Sequence, residues 1–216
     1  MGSRDASVWP EAKRATVTVE RAQAITQKCW RCHEPVGGPV CSSCATIQPP
    51  RPDTGLFALL GIERAFFFEN ADLERAYRAL SRKVHPDRFA RKSAVERRMS
   101  LQWTAAINEA RRVLKDPVQR ARYLATGQAK APETGGPVLE PDFLEQIFEL
   151  QLEAQSDPAD AAATAQKLRS SLWSEIEGAL RAWESGDASL DALPEQLARL
   201  KYIDNIVALA TSASDG

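Results

Sequence analysis

Histidine is scarce in this chain and long apolar runs are missing from it. Only His33 and His85 occur among 216 residues, so imidazole chemistry is confined to two places. No stretch approaches the ~20 apolar residues that cross a bilayer, which sets the expectation of no membrane partner. Residues Met1 to Lys28 contain no apolar core and mix Arg, Asp, Glu and Lys, unlike a secretory signal. Asp5, Glu11 and Glu20 also weigh against a transit peptide, which is rich in Arg and poor in acids. The expected compartment is reducing, a bacterial cytoplasm ahead of a mitochondrial matrix. A βαβ pattern is missing as well, and with it the setting of a thioredoxin-like redox motif.

Charge is nearly balanced overall, at −1, but it is divided unevenly. Residues 61–125 carry 15 Lys and Arg against 8 Asp and Glu, whereas residues 126–216 carry 6 against 16. A basic half joined to an acidic half points to two different partners, because surface potential steers association. The acidic half would repel phosphate, so no nucleic-acid partner is expected. Length allows one or two domains. Prolines and glycines suggest the divisions. Residues 1–26 read as a mobile segment, 27–48 as a small metal knuckle and 53–126 as a helical module. A linker at 127–141 and a three-helix domain at 142–212 complete the expected order, with Gln48-Pro49-Pro50-Arg51-Pro52 as a stiff connection.

The cysteines are few and all are paired in sequence: Cys29-x-x-Cys32 and Cys41-x-x-Cys44, with Pro35, Gly37, Gly38 and Pro39 between. Two such knuckles place four thiolates around one tetrahedral ion and leave no open coordination position, the pattern of a structural zinc site. Iron bound by four thiolates, disulfides and a redox-active pair are the competing readings. His33 lies between the pairs as a possible substitute ligand.

His85-Pro86-Asp87 is the other concentrated signal. Leu73, Ala76, Tyr77, Leu80 and Val84 precede it at helical spacing, while Arg75, Arg78 and Arg82 fall on the opposite side, with Lys83 at the margin. A second stripe follows: Met99, Trp103, Ala106, Ile107, Ala110 and Val113, stopped by Asp116-Pro117. Two antiparallel helices with a polar turn between them are expected, preceded by a short apolar segment, Leu56 to Ile62, and followed by a short helix, Val118 to Leu124. In one reading Pro86 stops a helix and Asp87 caps the next. In the other, the turn and its cationic ridge face a partner.

The residues from Leu56 through His85-Pro86-Asp87 and Ala106-Ile107-Asn108-Glu109-Ala110 to Tyr123-Leu124 resemble a J-domain of the DnaJ type. That resemblance implies that His85, Pro86, Asp87, Arg75, Arg78, Arg82 and Lys83 engage a DnaK-type ATPase chaperone and stimulate its ATP hydrolysis. It implies no catalytic residue and no enzyme.

The acidic half holds three helical patterns, near Asp142–Gln155, Ala159–Ser185 and Leu190–Ala210, which would pack as an antiparallel bundle. Leu168, Leu172, Ile176, Leu180, Leu193, Leu197, Leu200 and Val207 are its candidate core. The first helix is apolar on two sides. Phe143, Ile147, Leu150 and Ala154 form one stripe; Leu144, Phe148 and Leu152 form another, flanked by Glu145, Glu149 and Glu153. The second stripe is either covered by the preceding modules or left open as a protein-binding patch. Tyr202 points away from Leu197 and Leu200.

The full order is similar to the HscB family of J-proteins in the form with an N-terminal four-cysteine domain. Phe143-Leu144-Glu145-Gln146-Ile147-Phe148-Glu149-Leu150 and Arg199-Leu200-Lys201-Tyr202-Ile203-Asp204 carry the likeness. It implies a mainly all-α protein: a small four-cysteine metal knuckle, a helical J-domain hairpin and a C-terminal three-helix bundle. It further implies a bridge between an IscU-type iron-sulfur scaffold and an HscA-type ATPase, promoting cluster transfer. Leu144, Phe148, Glu149, Leu152 and Tyr202 would then touch the scaffold, and one zinc ion would sit on Cys29, Cys32, Cys41 and Cys44. Glu145 departs from the family pattern, where an apolar residue is common. A general folding J-protein and a metal-handling or redox protein built on the four cysteines are the alternatives.

Overall fold

The computed structural model describes residues 27–130, 132 and 136–214, so the expectation for 1–26 lies outside the described residues. Strand β1 (Gln27–Lys28) pairs antiparallel with β2 (Pro35–Val36), Gln27 opposite Val36 and Lys28 opposite Pro35. An isolated bridge between Val40 and Ile47 closes the other half of the knuckle. The regular elements beyond it are helices among the described residues: α1 (Leu56–Leu60), α2 (Asn70–Val84), α3 (Pro86–Phe89), α4 (Ala94–Lys115), α5 (Pro117–Thr126), α6 (Pro141–Ser156), α7 (Pro158–Ser185) and α8 (Leu193–Ser214).

Helix boundaries follow local chemistry. Ser93 and Glu96 form a reciprocal capping box at the start of α4, satisfying backbone N–H groups that the first turn leaves open. Asp116 is extended, as the residue before a proline tends to be, and its Oδ1 accepts from Gln119 N–H at 2.8 Å. One residue therefore ends α4 and begins α5. Asp157 does the same between α6 and α7, with its carboxylate accepting from Asp160 N–H. α7 stops at Gly186, whose φ of 83° lies in the left-handed region where a side chain is strained.

α2 and α4 form the hairpin, joined across its face by Arg111 and Glu74 at 2.7 Å. Leu73, Val84, Phe89, Ile107, Ala110 and Leu114 are buried within it. α1 closes one end, where Tyr123 Oη accepts from Leu56 N–H at 2.8 Å. A Cβ on Gly55 would meet that oxygen at 3.1 Å, so the close approach favours glycine.

α6, α7 and α8 pack as the expected bundle, with Ile147, Leu150, Leu172, Ile176, Leu180, Leu193, Leu197 and Leu200 buried. Leu168 and Val207 are only half-buried against that core. α8 starts at Leu193, later than the pattern from Leu190 suggested; Leu190 is buried in the preceding turn.

Bundle and hairpin share one continuous apolar core. Phe66 and Phe67, in the α1–α2 connection, donate backbone N–H bonds to Glu184 of α7. Arg120 of α5 is buried, with its guanidinium carbon 4.7 Å from the Phe66 ring and 4.4 Å from the Phe68 ring, and it donates to Leu114 C=O at 2.7 Å. Burial disfavours its charge and lowers its pKa, a cost offset by Asp116 and Glu184 nearby. The knuckle joins the same core through Ile47, which is fully buried. Gln48, expected to open a stiff connection, is instead buried against α4, and Leu139, expected within a linker, is buried too.

Candidate functional site

The His85 turn is built by the abrupt end of α2. Pro86 disfavours a helical conformation at His85, which is extended with ψ of 134°. His85 then caps α3 itself: its Nδ1 accepts from Asp87 N–H at 3.3 Å. Asp87 is thus inside α3 and is not the cap, because the imidazole reaches the backbone first. Its own carboxylate lies 3.5 Å from the same Nδ1. Beneath the turn, buried Ser100 of α4 donates its hydroxyl to Val84 C=O at 2.6 Å, and Arg88 donates to Arg82 C=O at 3.2 Å. These bonds satisfy carbonyls that the end of α2 would otherwise leave open.

Phe89 anchors the turn from inside, while His85 and Asp87 remain exposed and Pro86 is half-buried. Arg75 and its neighbours Arg78, Arg82 and Lys83 line the adjoining ridge, Arg75 paired with Asp72 at 2.8 Å. Six of the seven expected contact residues are exposed along α2 and the turn that follows it, and Pro86 is half-buried. The groups exposed there are cations, an imidazole and a carboxylate, with the carboxylate of Asp87 held 3.5 Å from His85 Nδ1 in the same turn.

The second surface lies on α6 and α8. Phe143, Ile147, Leu150 and Ala154 face inward. Leu144, Phe148, Leu152 and Tyr202 are 41%, 61%, 50% and 43% exposed, so neither the knuckle nor the hairpin covers them among the described residues. Phe143 meets the Tyr202 ring edge-on, centroids 6.5 Å apart, which props the tyrosine at the surface. Glu145 and Glu149 are exposed at the border and Glu153 is half-buried. A groove of about 600 Å³ opens beside Leu144 and Tyr202, with Leu139, Leu197 and Ala198 in its wall. Large apolar side chains rimmed by carboxylates suit a protein with an apolar contact and a basic border.

The third site is the cysteine cluster. Both knuckles use the same turn. Cys29 C=O accepts from His33 N–H and Cys41 C=O from Ala45 N–H, each at 2.9 Å, and His33 and Ala45 both have positive φ, 63° and 55°. His33 therefore shapes a turn and stands outside the cluster of four sulfurs. All four cysteines are free, with sulfurs separated by more than a disulfide bond length. Cys29 and Cys44 sulfurs lie 3.6 Å apart, Cys32 and Cys41 sulfurs 3.7 Å, and the four lie within 4.8 Å of one another. Thiolates around a tetrahedral ion at about 2.3 Å would be about 3.8 Å apart, so the donor set fits a four-thiolate metal ion of the zinc type, a spacing that iron shares.

Burial opposes the Cys29 thiolate, yet the N–H groups of Cys32 and Arg31 and the neighbouring sulfurs outweigh it and lower its pKa to about 6. For Cys32 the Glu34 backbone bond favours the thiolate, but burial and the sulfurs of Cys44, Cys29 and Cys41 prevail and push it up to about 12. Clustered sulfur charge of this kind is relieved by a bound cation.

Sequence reasoning missed the supports. Gln48 donates through Nε2 to Cys29 Sγ at 3.3 Å and to Thr46 C=O at 2.8 Å, and its own C=O accepts from Trp103 Nε1 at 2.7 Å. Gln48 looked like part of a proline-rich connection, and Ser100 drew no reading at all. Ser100 lies three positions before Trp103 on the apolar stripe of α4, the one available signal that its hydroxyl faces inward.

Comparison with known proteins bears on the whole arrangement. A DnaJ domain model matches residues 55–123. The chain is 31% identical over 195 residues to the iron-sulfur cluster co-chaperone protein HscB of Mus musculus, covering 85% of this chain and 81% of that protein. It is 42% identical over 111 residues to the co-chaperone protein HscB homolog of Bordetella pertussis, covering 50% of this chain and 65% of that protein. The crystal structure of human co-chaperone protein HscB superposes with a TM-score of 0.70 at 26% identity, covering 87% of this chain and 98% of that one. A J-module, an acidic bundle and a four-cysteine knuckle together on one chain, with similarity across most of the length, mean that the chain belongs to the HscB family of iron-sulfur cluster co-chaperones.

Proposed function

We propose that this co-chaperone bridges two proteins: an IscU-type iron-sulfur scaffold, bound on α6 and α8, and an HscA/DnaK-type ATPase, engaged by the His85 turn. The functional units would be 27–48, 53–126 and 142–212, joined through 127–141. The observation that carries the reading is the presence, on one packed body, of a cationic polar turn and a separate apolar patch bordered by carboxylates. Leu144, Phe148, Leu152 and Tyr202 would anchor the scaffold, with Glu149 at the rim. Glu145 would remain solvated at that rim, which avoids the cost of burying an unpaired carboxylate.

His85, Pro86 and Asp87, with Arg75, Arg78, Arg82 and Lys83, would stimulate ATP hydrolysis by the chaperone, whose own site performs the chemistry. Tightening of the chaperone on the delivered scaffold would then favour cluster transfer. One zinc ion on Cys29, Cys32, Cys41 and Cys44 would hold the knuckle together. The working compartment would be the bacterial cytoplasm, with a mitochondrial matrix as the alternative.

ATP turnover by an HscA-type chaperone, with scaffold present or absent, tests the bridge. The protein should stimulate turnover, scaffold should raise it further, and the His85→Gln form should do neither. Stimulation indifferent to scaffold would instead assign a general folding J-protein.

A further inference from the structure

We propose that the cysteine knuckle is a positioning element for the His85 turn, so that metal occupancy and chaperone engagement are energetically coupled through Gln48, Trp103 and Ser100. The inference rests on the reading of that turn as the chaperone contact.

The coupling begins with an element that has two states. Apart from its cysteines, the knuckle's own buried cluster contains only Val36 among the described residues, and its strands are two residues long. So small a core does not hold its fold without the ion. When folded, the knuckle holds α4 through Gln48 and is anchored in the main core by Ile47. Gln48 bonds a cysteine sulfur with its side chain and Trp103 with its backbone carbonyl, while fully buried Ile47 packs into the main core beside them. Arg31, next to Cys32, also acts electrostatically on Glu96, half of the capping box that starts α4.

One helical turn before Trp103, Ser100 holds Val84 C=O, the last α2 carbonyl before His85. Loss of the ion would release Gln48 and Ile47, leave the indole N–H of Trp103 without its partner and loosen the segment of α4 that aims the turn. Both ends of the path therefore bear on one helix segment, and the two-state element that both would bias is the metal-dependent knuckle with the part of α4 it holds.

A buried hydrogen bond contributes about 1 kcal/mol, so the expected coupling is about fivefold. Linkage makes it reciprocal: chaperone binding should tighten metal retention by the same factor.

The test uses the full chain, zinc-loaded or stripped by a chelator, with NMR signals of the His85 imidazole and Asp87 amide followed beside chaperone stimulation. Stripping should move both signals and raise the concentration for half-maximal stimulation about fivefold. Trp103→Phe, which keeps a ring in the core but lacks the N–H, should move the zinc-loaded protein toward the stripped state and reduce its further response. Ser100→Ala should move the turn signals without releasing zinc, and Ser100→Thr, which keeps the hydroxyl, should restore them.

Unmoved His85 and Asp87 signals after verified metal loss would overturn the coupling, as would an undiminished response to stripping in Trp103→Phe. Failure of the underlying chaperone assignment is seen separately, as stimulation retained by His85→Gln in the zinc-loaded protein.

Discussion

The hairpin and the bundle expose opposite chemistries for opposite physical reasons. At the His85 turn the exposed groups are polar and charged, and the apolar anchor Phe89 is hidden below them. Such a surface is well solvated when alone, and its information lies in the placement of charge. On α6 the exposed groups are Leu144, Phe148 and Leu152, which are unfavourable in water and become favourable when covered. The first surface suits transient engagement steered by charge, the second a contact whose affinity comes from burial. Their shared core makes the body a spacer between them.

That comparison can be broken at either end. The largest effect is expected from His85→Gln, which should abolish chaperone stimulation in an ATP turnover assay while leaving scaffold affinity unchanged. Retained stimulation would remove the distinction between the surfaces. Replacing Leu144 and Phe148 together by Ala should do the converse, weakening scaffold binding in calorimetry by about 2 kcal/mol or more for each anchor. An unchanged dissociation constant would mean that the apolar patch serves another partner.

Smaller changes sharpen the contrast. Arg78→Ala with Arg82→Ala should weaken chaperone engagement about tenfold at low salt and less as ionic strength rises, since exposed charges are screened over about 10 Å at 0.1 M. Scaffold binding through the apolar patch should respond far less to the same salt titration. Cys29→Ser should lower bound zinc below one ion per chain by elemental analysis while the bundle keeps its helical signal.

The smallest effect is expected at Glu74. A hydrogen bond from Arg111 lowers its pKa, so its contribution to folding is present above the unfolded carboxylate pKa and is lost as pH falls through the lowered folded value. The pair is partly exposed, 36% at Arg111 and 23% at Glu74, and Glu74→Gln should cost under about 1 kcal/mol at neutral pH. That difference should vanish in acid, as read by denaturant unfolding.

The elements were legible because each carries its own signal. The stripe Met99, Trp103, Ile107, Ala110 and Asp116-Pro117 encode α4 and its end within a few residues of chain. Leu144, Phe148 and Leu152 announced a second apolar face, but periodicity could not say whether a neighbour covers it. Their exposure depends on where the hairpin docks, a relation between distant residues such as Phe66, Arg120 and Glu184. Gln48 was misread for the same reason: its partners, Cys29 and Trp103, lie 19 and 55 positions away.

By itself, the sequence determined most of the helices, the two C-x-x-C knuckles and the polar turn, because these depend on residues within one or two helical turns or on a fixed spacing, and it determined the division of charge, which is a matter of composition. Only the tertiary structure decided that Ser100 supports the His85 turn, that the second stripe of α6 stays open and that the knuckle holds α4. Those outcomes are set by which buried donors and apolar faces find partners across the core, and a pattern along the chain does not contain that choice.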